Sequence, residues 1–86
     1  MRYKISYEKR AIKELNKLPK RAVVQVVKKI DSLGENPYQA GVRKLAAIHD
    51  VYRARVGNYG ILYEINDGEL RIIIVSIGDR KDVYNR

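Results

Sequence analysis

The sequence predicts an α+β fold, in which an N-terminal strand and a two-helix hairpin pack on a mainly antiparallel β-sheet. Three observations predict it. Apolar residues recur at helical spacing in two successive stretches, 8–18 and 20–33. Three strand-like runs then follow, at 51–56, 59–65 and 70–77. Gly57-Asn58 and Asp67-Gly68 separate those runs, and both are favourable hairpin turns.

Residues 2–7 alternate, with two tyrosines and an isoleucine, and read as a short strand. Over residues 8–18, Ala11, Ile12, Leu15 and Leu18 form one apolar helical face. Pro19 ends this helix or opens the next. Over residues 20–33, Val23, Val26, Val27, Ile30 and Leu33 mark the buried face of a second helix, and tertiary packing must hold so valine-rich a segment. Gly34 is the expected C-cap, and Asn36-Pro37 confirms the stop. Residues 38–50 read as a connector in which Leu45, Ala46 and Ile48 tuck under the domain.

Two-residue turns set a register in which Val56 faces Tyr59, Arg55 faces Gly60, Ile65 faces Leu70 and Glu64 faces Arg71. Strand parity then sorts the side chains. Tyr52, Ala54, Val56, Tyr59, Ile61, Tyr63, Ile65, Leu70, Ile72 and Ile74 form the face that the helices cover. Arg53, Arg55, Gly60, Leu62, Glu64, Arg71, Ile73 and Val75 form the outer face. Glu64 and Arg71 are expected to make a cross-strand ion pair. A tail over residues 78–86 adds Arg80, Lys81 and Tyr84. The whole chain, 1–86, reads as one domain.

Composition narrows the function. The 86 residues carry 18 Lys+Arg against 10 Asp+Glu, a formal charge of +8, which suits an anionic partner. At 45% hydrophobic content the chain can still build a core. The absence of cysteine excludes disulfide scaffolds and thiol catalysis and fits a reducing cytoplasm. With one histidine, a histidine metal cluster is not expected, and no cofactor is implied. Neither a membrane span nor a secretory signal is visible, so a cytoplasmic protein is expected.

Arg53 and Arg55 are the first candidate constellation. Alternate strand positions aim both guanidinium groups from one face, about 6.5–7 Å apart, near the spacing of RNA phosphates. Its bland counterpart is a solvated arginine pair. Arg80 and Tyr84 are the second, since a tyrosine beside phosphate-binding arginines can stack on a base or bond a ribose. Its bland counterpart is a frayed terminus. The third is a basic set on the helices, Lys9, Arg10, Lys13, Lys17, Lys20, Arg21, Lys28 and Lys29, which with Lys81 suits sequence-independent contact with a polyanion. His49 lies in the connector and reads as structural.

With those residues in place, the chain resembles the RelE/ParE toxin superfamily over nearly its whole length. The resemblance rests on K-E-L-N-K-L-P after the first strand, N-P after the second helix, V-Y-R-A-R-V-G-N-Y-G-I-L-Y-E-I, and the ending I-G-D-R-K-D-V-Y. It is greatest to the RelE branch and implies a RelE-like fold. It also implies a toxin of a type II toxin–antitoxin system, an endoribonuclease that cuts mRNA in the ribosomal A site. Arg53, Arg55, Arg80 and Tyr84 fall on the family's catalytic positions. The implied chemistry is metal-independent attack of a 2′-OH on the adjacent phosphate, leaving a 2′,3′-cyclic phosphate and a 5′-OH.

The implied partners are the ribosome, mRNA and a RelB-like antitoxin with an acidic, amphipathic segment. The toxin is expected to be a monomer alone and a heterooligomer with the antitoxin. Leu62, Ile73 and Val75, exposed on the outer face, are the expected docking patch unless loops or the tail cover them. One departure stands out. The family commonly has arginine after the hairpin tyrosine, and here that position is Gly60. A toxin with a shifted basic set, a weakened variant (natural or engineered) and a site that is no nuclease all fit that glycine. The alternatives in function are a ParE-like toxin that inhibits DNA gyrase by binding, and a plain RNA-binding module.

Overall fold

The computed structural model describes residues 2–45 and 50–79. The elements run β1 (Lys4–Tyr7), α1 (Lys9–Asn16), α2 (Lys20–Glu35), β2 (Arg43–Lys44), β3 (Val51–Val56), β4 (Tyr59–Asn66) and β5 (Arg71–Asp79). They form one five-stranded sheet in the order β1-β5-β4-β3-β2. Only β1 pairs in parallel, with β5. The α+β fold with a mainly antiparallel sheet is therefore as the sequence predicts.

The helices cover one face of this sheet. Ala11, Val26, Ile30 and Leu33 meet Ala54, Ile61, Tyr63, Ile65, Ile72 and Ile74 in the core, with Leu15 and Leu18 packed at its margin. Ile12, expected on that face, is 45% exposed, because α1 has only eight residues and its buried stripe is narrow. Pro19 is the N-cap of α2. Gly34 does not end that helix. It is buried within α2, its carbonyl accepts the Tyr3 amide at 2.7 Å, and a Cβ there would sit 3.0 Å from Ile5 Cδ1. Close approach of the β1 segment to α2 is what this glycine permits, and Asn36 takes the cap position.

The β3–β4 register is the expected one, with Val56 opposite Tyr59 and Arg55 opposite Gly60. The β4–β5 register is not. Ile65 faces Ile72, Glu64 faces Ile73 and Asn66 faces Arg71. The connection is a longer loop because its polar residues are bound elsewhere. Asn66 Oδ1 accepts the Glu69 amide at 3.0 Å, and Asp67 accepts the Tyr3 and Tyr38 hydroxyls, each at 2.6 Å. Leu70 adopts a left-handed φ of 51° outside the strand. The expected Glu64–Arg71 ion pair is consequently not formed. Among the described residues the ion pairs are Arg2–Glu35 and Arg10–Glu14.

A register shift between Leu62 and Tyr63 inserts one extra residue in β5. Strict alternation from Ile72 and Ile74 would turn Ile77 outward, but past this bulge it joins the core opposite Ile61. On the outer face, Leu62 is 7% exposed rather than open. It forms a small cluster with Val51, against which Leu45 and Val75 pack. The connector thus contributes a cover for that face, and it also contributes β2, which pairs Arg43 with Arg53 and Lys44 with Tyr52. Two residues are too few to show a strand period, so the sequence did not reveal it.

Candidate functional site

Arg53 and Arg55 stand on β3 on either side of Ala54, which is 1% exposed in the core. Alternation therefore turns both arginines to the face opposite the helices. Arg53 faces Leu62 of β4, and Arg55 faces Gly60. On its other side Gly60 pairs with Gly78 of β5, so the row beside Arg55 carries no side chain for two strands. Gly60 is itself buried, and Gly78 is half-buried.

Arg43 is a residue that sequence reasoning missed. Its pairing with Arg53 puts it on the same face, while its neighbour Lys44 faces Tyr52 and lies 5.9 Å from that ring's centroid. The only signal available was an Arg-Lys pair in an unpatterned connector. Arg80, Tyr84 and Lys81 lie outside the described residues, as do His49, Ala46 and Ile48. The last described strand is held at its edge by a helix residue. Past Tyr7, β1 no longer pairs with β5, and Glu14 of α1 takes over that edge. Its Oε1 accepts the Ile77 amide at 3.1 Å and the Ser76 hydroxyl at 3.0 Å.

The helix basic set divides. Lys9, Arg10, Lys13 and Lys17 of the α1 region and Lys20, Arg21 and Lys28 of α2 are exposed. Lys17, Lys20 and Arg21 flank the turn between the helices, and Lys28 is about two helical turns further on. Lys29 differs from these. It is half-buried, and its Nζ donates to Gln39 Oε1 at 2.8 Å. The turn at Gly57 reaches α2, where a Cβ on that glycine would lie 3.8 Å from Gln25 Oε1. One turn past Gln25, Lys29 therefore runs alongside the β3 edge that carries Arg55. A cavity of about 330 Å³ opens there, lined by Lys29, Ala40, Gly41, Arg43, Ala54 and Arg55.

No group of three or more His, Cys, Asp or Glu is placed to hold a metal ion among the described residues. Nor is any helix among them long and apolar enough to cross a membrane. The site region is cationic, and it offers guanidinium forks and an ammonium rather than an acid–base pair.

Comparison with known proteins gives this surface a family. The family model described as the ParE toxin of type II toxin–antitoxin system, parDE, matches residues 5–84. A putative RelE-like toxin protein of Escherichia coli is 35% identical over 99% of this chain and 93% of its own length. The chain belongs to the RelE/ParE family of type II toxins. Within that family, it is also similar to the mRNA interferase toxin RelE of E. coli K12, at 28% identity over 99% of this chain and 93% of that protein. The fold agrees. The archaeal RelE–RelB complex from Pyrococcus horikoshii contains a chain that superposes with a TM-score of 0.81 at 30% identity, covering 93% of this chain and 97% of that one. The RelE/ParE fold thus carries Arg53, Arg55 and Arg43 on one face of its sheet.

Proposed function

We propose that this RelE/ParE chain is an mRNA interferase of the RelE type, which cleaves mRNA in the ribosomal A site and so arrests translation. The observation that carries the reading is the placement of Arg53 and Arg55 on the outer face of β3, in a chain similar over 99% of its length to a protein named as an mRNA interferase.

The reaction is transesterification. The 2′-oxygen of one nucleotide attacks the adjacent phosphorus and the P–O5′ bond breaks. The 2′-hydroxyl proton is released and the 5′-oxygen is protonated, leaving a 2′,3′-cyclic phosphate and a 5′-OH. Arginine pKa values lie above about 12, so Arg53 and Arg55 hold charge rather than shuttle protons. They clamp the phosphate and stabilise the extra negative charge of the phosphorane. Arg80 stabilises the leaving oxygen, and Tyr84 holds the base or ribose. No metal is required in this scheme. A site of this composition works chiefly by holding the 2′-OH in line, and the ribosome supplies much of that orientation.

The same surface suits an antitoxin. Solved relatives include RelE–RelB complexes, and an acidic, amphipathic segment would neutralise the arginines. A gyrase-directed, ParE-type reading draws on Gly60 and on the ParE name of the matching family model. Induced expression in bacteria separates the two. The RelE-type reading expects labelled methionine incorporation to stop within minutes while plasmid supercoiling persists. Early loss of supercoiling with continuing incorporation would overturn it.

A further inference from the structure

The cavity at the β3 edge is more than a gap between elements. β2 covers that edge only as far as Arg53. The Leu45 amide donates to the Val51 carbonyl at 2.9 Å, so odd-numbered residues of β3 direct their backbone groups toward β2. By the same alternation the backbone N–H of Arg55 points out of the open edge, into the space between Ala40-Gly41 and α2. Gly41 has φ 91° and nothing within 4 Å of where its Cβ would be, so that wall stands open.

Lys29 is held in place there. Its Nζ donates to Gln39 Oε1, and the Gln39 amide nitrogen is itself anchored to Ser32 Oγ at 3.3 Å and to the Asn36 carbonyl at 3.1 Å. An ammonium has three donors, and this contact uses one. Arg43 and Arg55 border the same cavity at the strand edge, and no acidic residue lines it. An ammonium and an outward backbone N–H at a cavity bordered by two arginines suit a tetrahedral oxyanion.

We propose that the Lys29–Arg43–Arg55 cavity is a subsite for a phosphate of single-stranded RNA, flanking the phosphate that is cut. The subsite rests on the RNA-cleavage reading, which already places Arg55 at the scissile phosphate. Arg55 bridges the two positions, and the strand's path runs from the outer face of β3 around its open edge toward α2. RNA is favoured over an acidic peptide because the cavity joins directly onto the arginine face.

The test is binding of a short, uncleavable, fully 2′-O-methylated single-stranded RNA, followed by fluorescence anisotropy across a salt series. Lys29→Gln combined with Arg43→Gln should lower the slope of log K against log salt by about 0.7, the value of one lost phosphate contact. The charge-conserving pair Lys29→Arg with Arg43→Lys should keep most of the slope. Lys4→Gln with Arg71→Gln removes the same charge from the opposite sheet edge, where Lys4 pairs with Arg71, and should leave the slope unchanged. Equal losses from both Gln pairs would reduce the subsite to general charge and overturn it. An unchanged RNA slope together with weakened binding of an acidic antitoxin segment would assign the cavity to a protein partner and also overturn it. RNA binding with the expected slopes but no cut on ribosomes would sink the cleavage reading and leave the subsite standing.

Discussion

Arg55 of β3 lies directly across the strand pair from Gly60 of β4, and Gly60 pairs in turn with Gly78 of β5. The family's usual arginine at this place would therefore stand beside Arg55 on the same face of the sheet. Its absence removes a third guanidinium from that face. Gly60→Arg should raise the single-turnover cleavage rate on programmed ribosomes, by up to about 10²–10³-fold if the new group reaches the transition state. No gain in rate would show that Gly60 does not occupy the arginine's place.

Arg53 and Arg55 should affect chemistry rather than folding. Both lie on the face away from the core. Arg53→Gln and Arg55→Gln should each lower the single-turnover rate about 10²–10³-fold while the melting temperature stays nearly constant. Rates within a factor of about three of the parent would remove the pair from the reacting phosphate.

Stability should respond at Tyr63. Its hydroxyl is buried and donates to the buried Pro37 carbonyl at 2.7 Å, tying the connector to the middle of the sheet. Tyr63→Phe leaves that carbonyl without its donor. Urea unfolding should show a loss of about 1–2 kcal/mol with an unchanged m-value.

At the other end of the sheet, Asp67 should give the stability curve an acid limb. The Tyr3 and Tyr38 hydroxyls hold its carboxyl below the ordinary carboxylate range, and the same bonds raise both phenols above theirs. A depressed carboxyl contributes stability above its unfolded value, near pH 4, and loses it as pH falls through the lower folded value. The raised phenols contribute below about pH 10 and lose that stability as pH rises through their folded values. Asp67→Asn should flatten both limbs in melting curves taken across pH. Unaltered limbs would mean that the two hydroxyl contacts do not persist in solution.

Much of this architecture was legible in the sequence, for identifiable reasons. Three apolar-alternating runs and one two-residue turn set the β3–β4 register, and with it the face of Arg53 and Arg55. The β4–β5 register was illegible because it depends on tertiary contacts. Asp67 reads as a turn residue, yet its carboxylate is engaged by Tyr3, 64 residues away, and by Tyr38, 29 residues away. Gly34 has the position of a cap, and only the approach of the β1 segment explains it as a helix residue. Arg43 escaped notice because a two-residue edge strand has no period, although its partner Arg53 was already in view.

The most direct measurement is mapping of mRNA ends after the purified protein is added to ribosomes paused on a defined message. The account predicts cuts confined to the A-site codon, with 2′,3′-cyclic phosphate on the upstream fragment and 5′-OH on the downstream one. Intact mRNA, together with gyrase–DNA cleavage complexes accumulating in a parallel reaction, would contradict it.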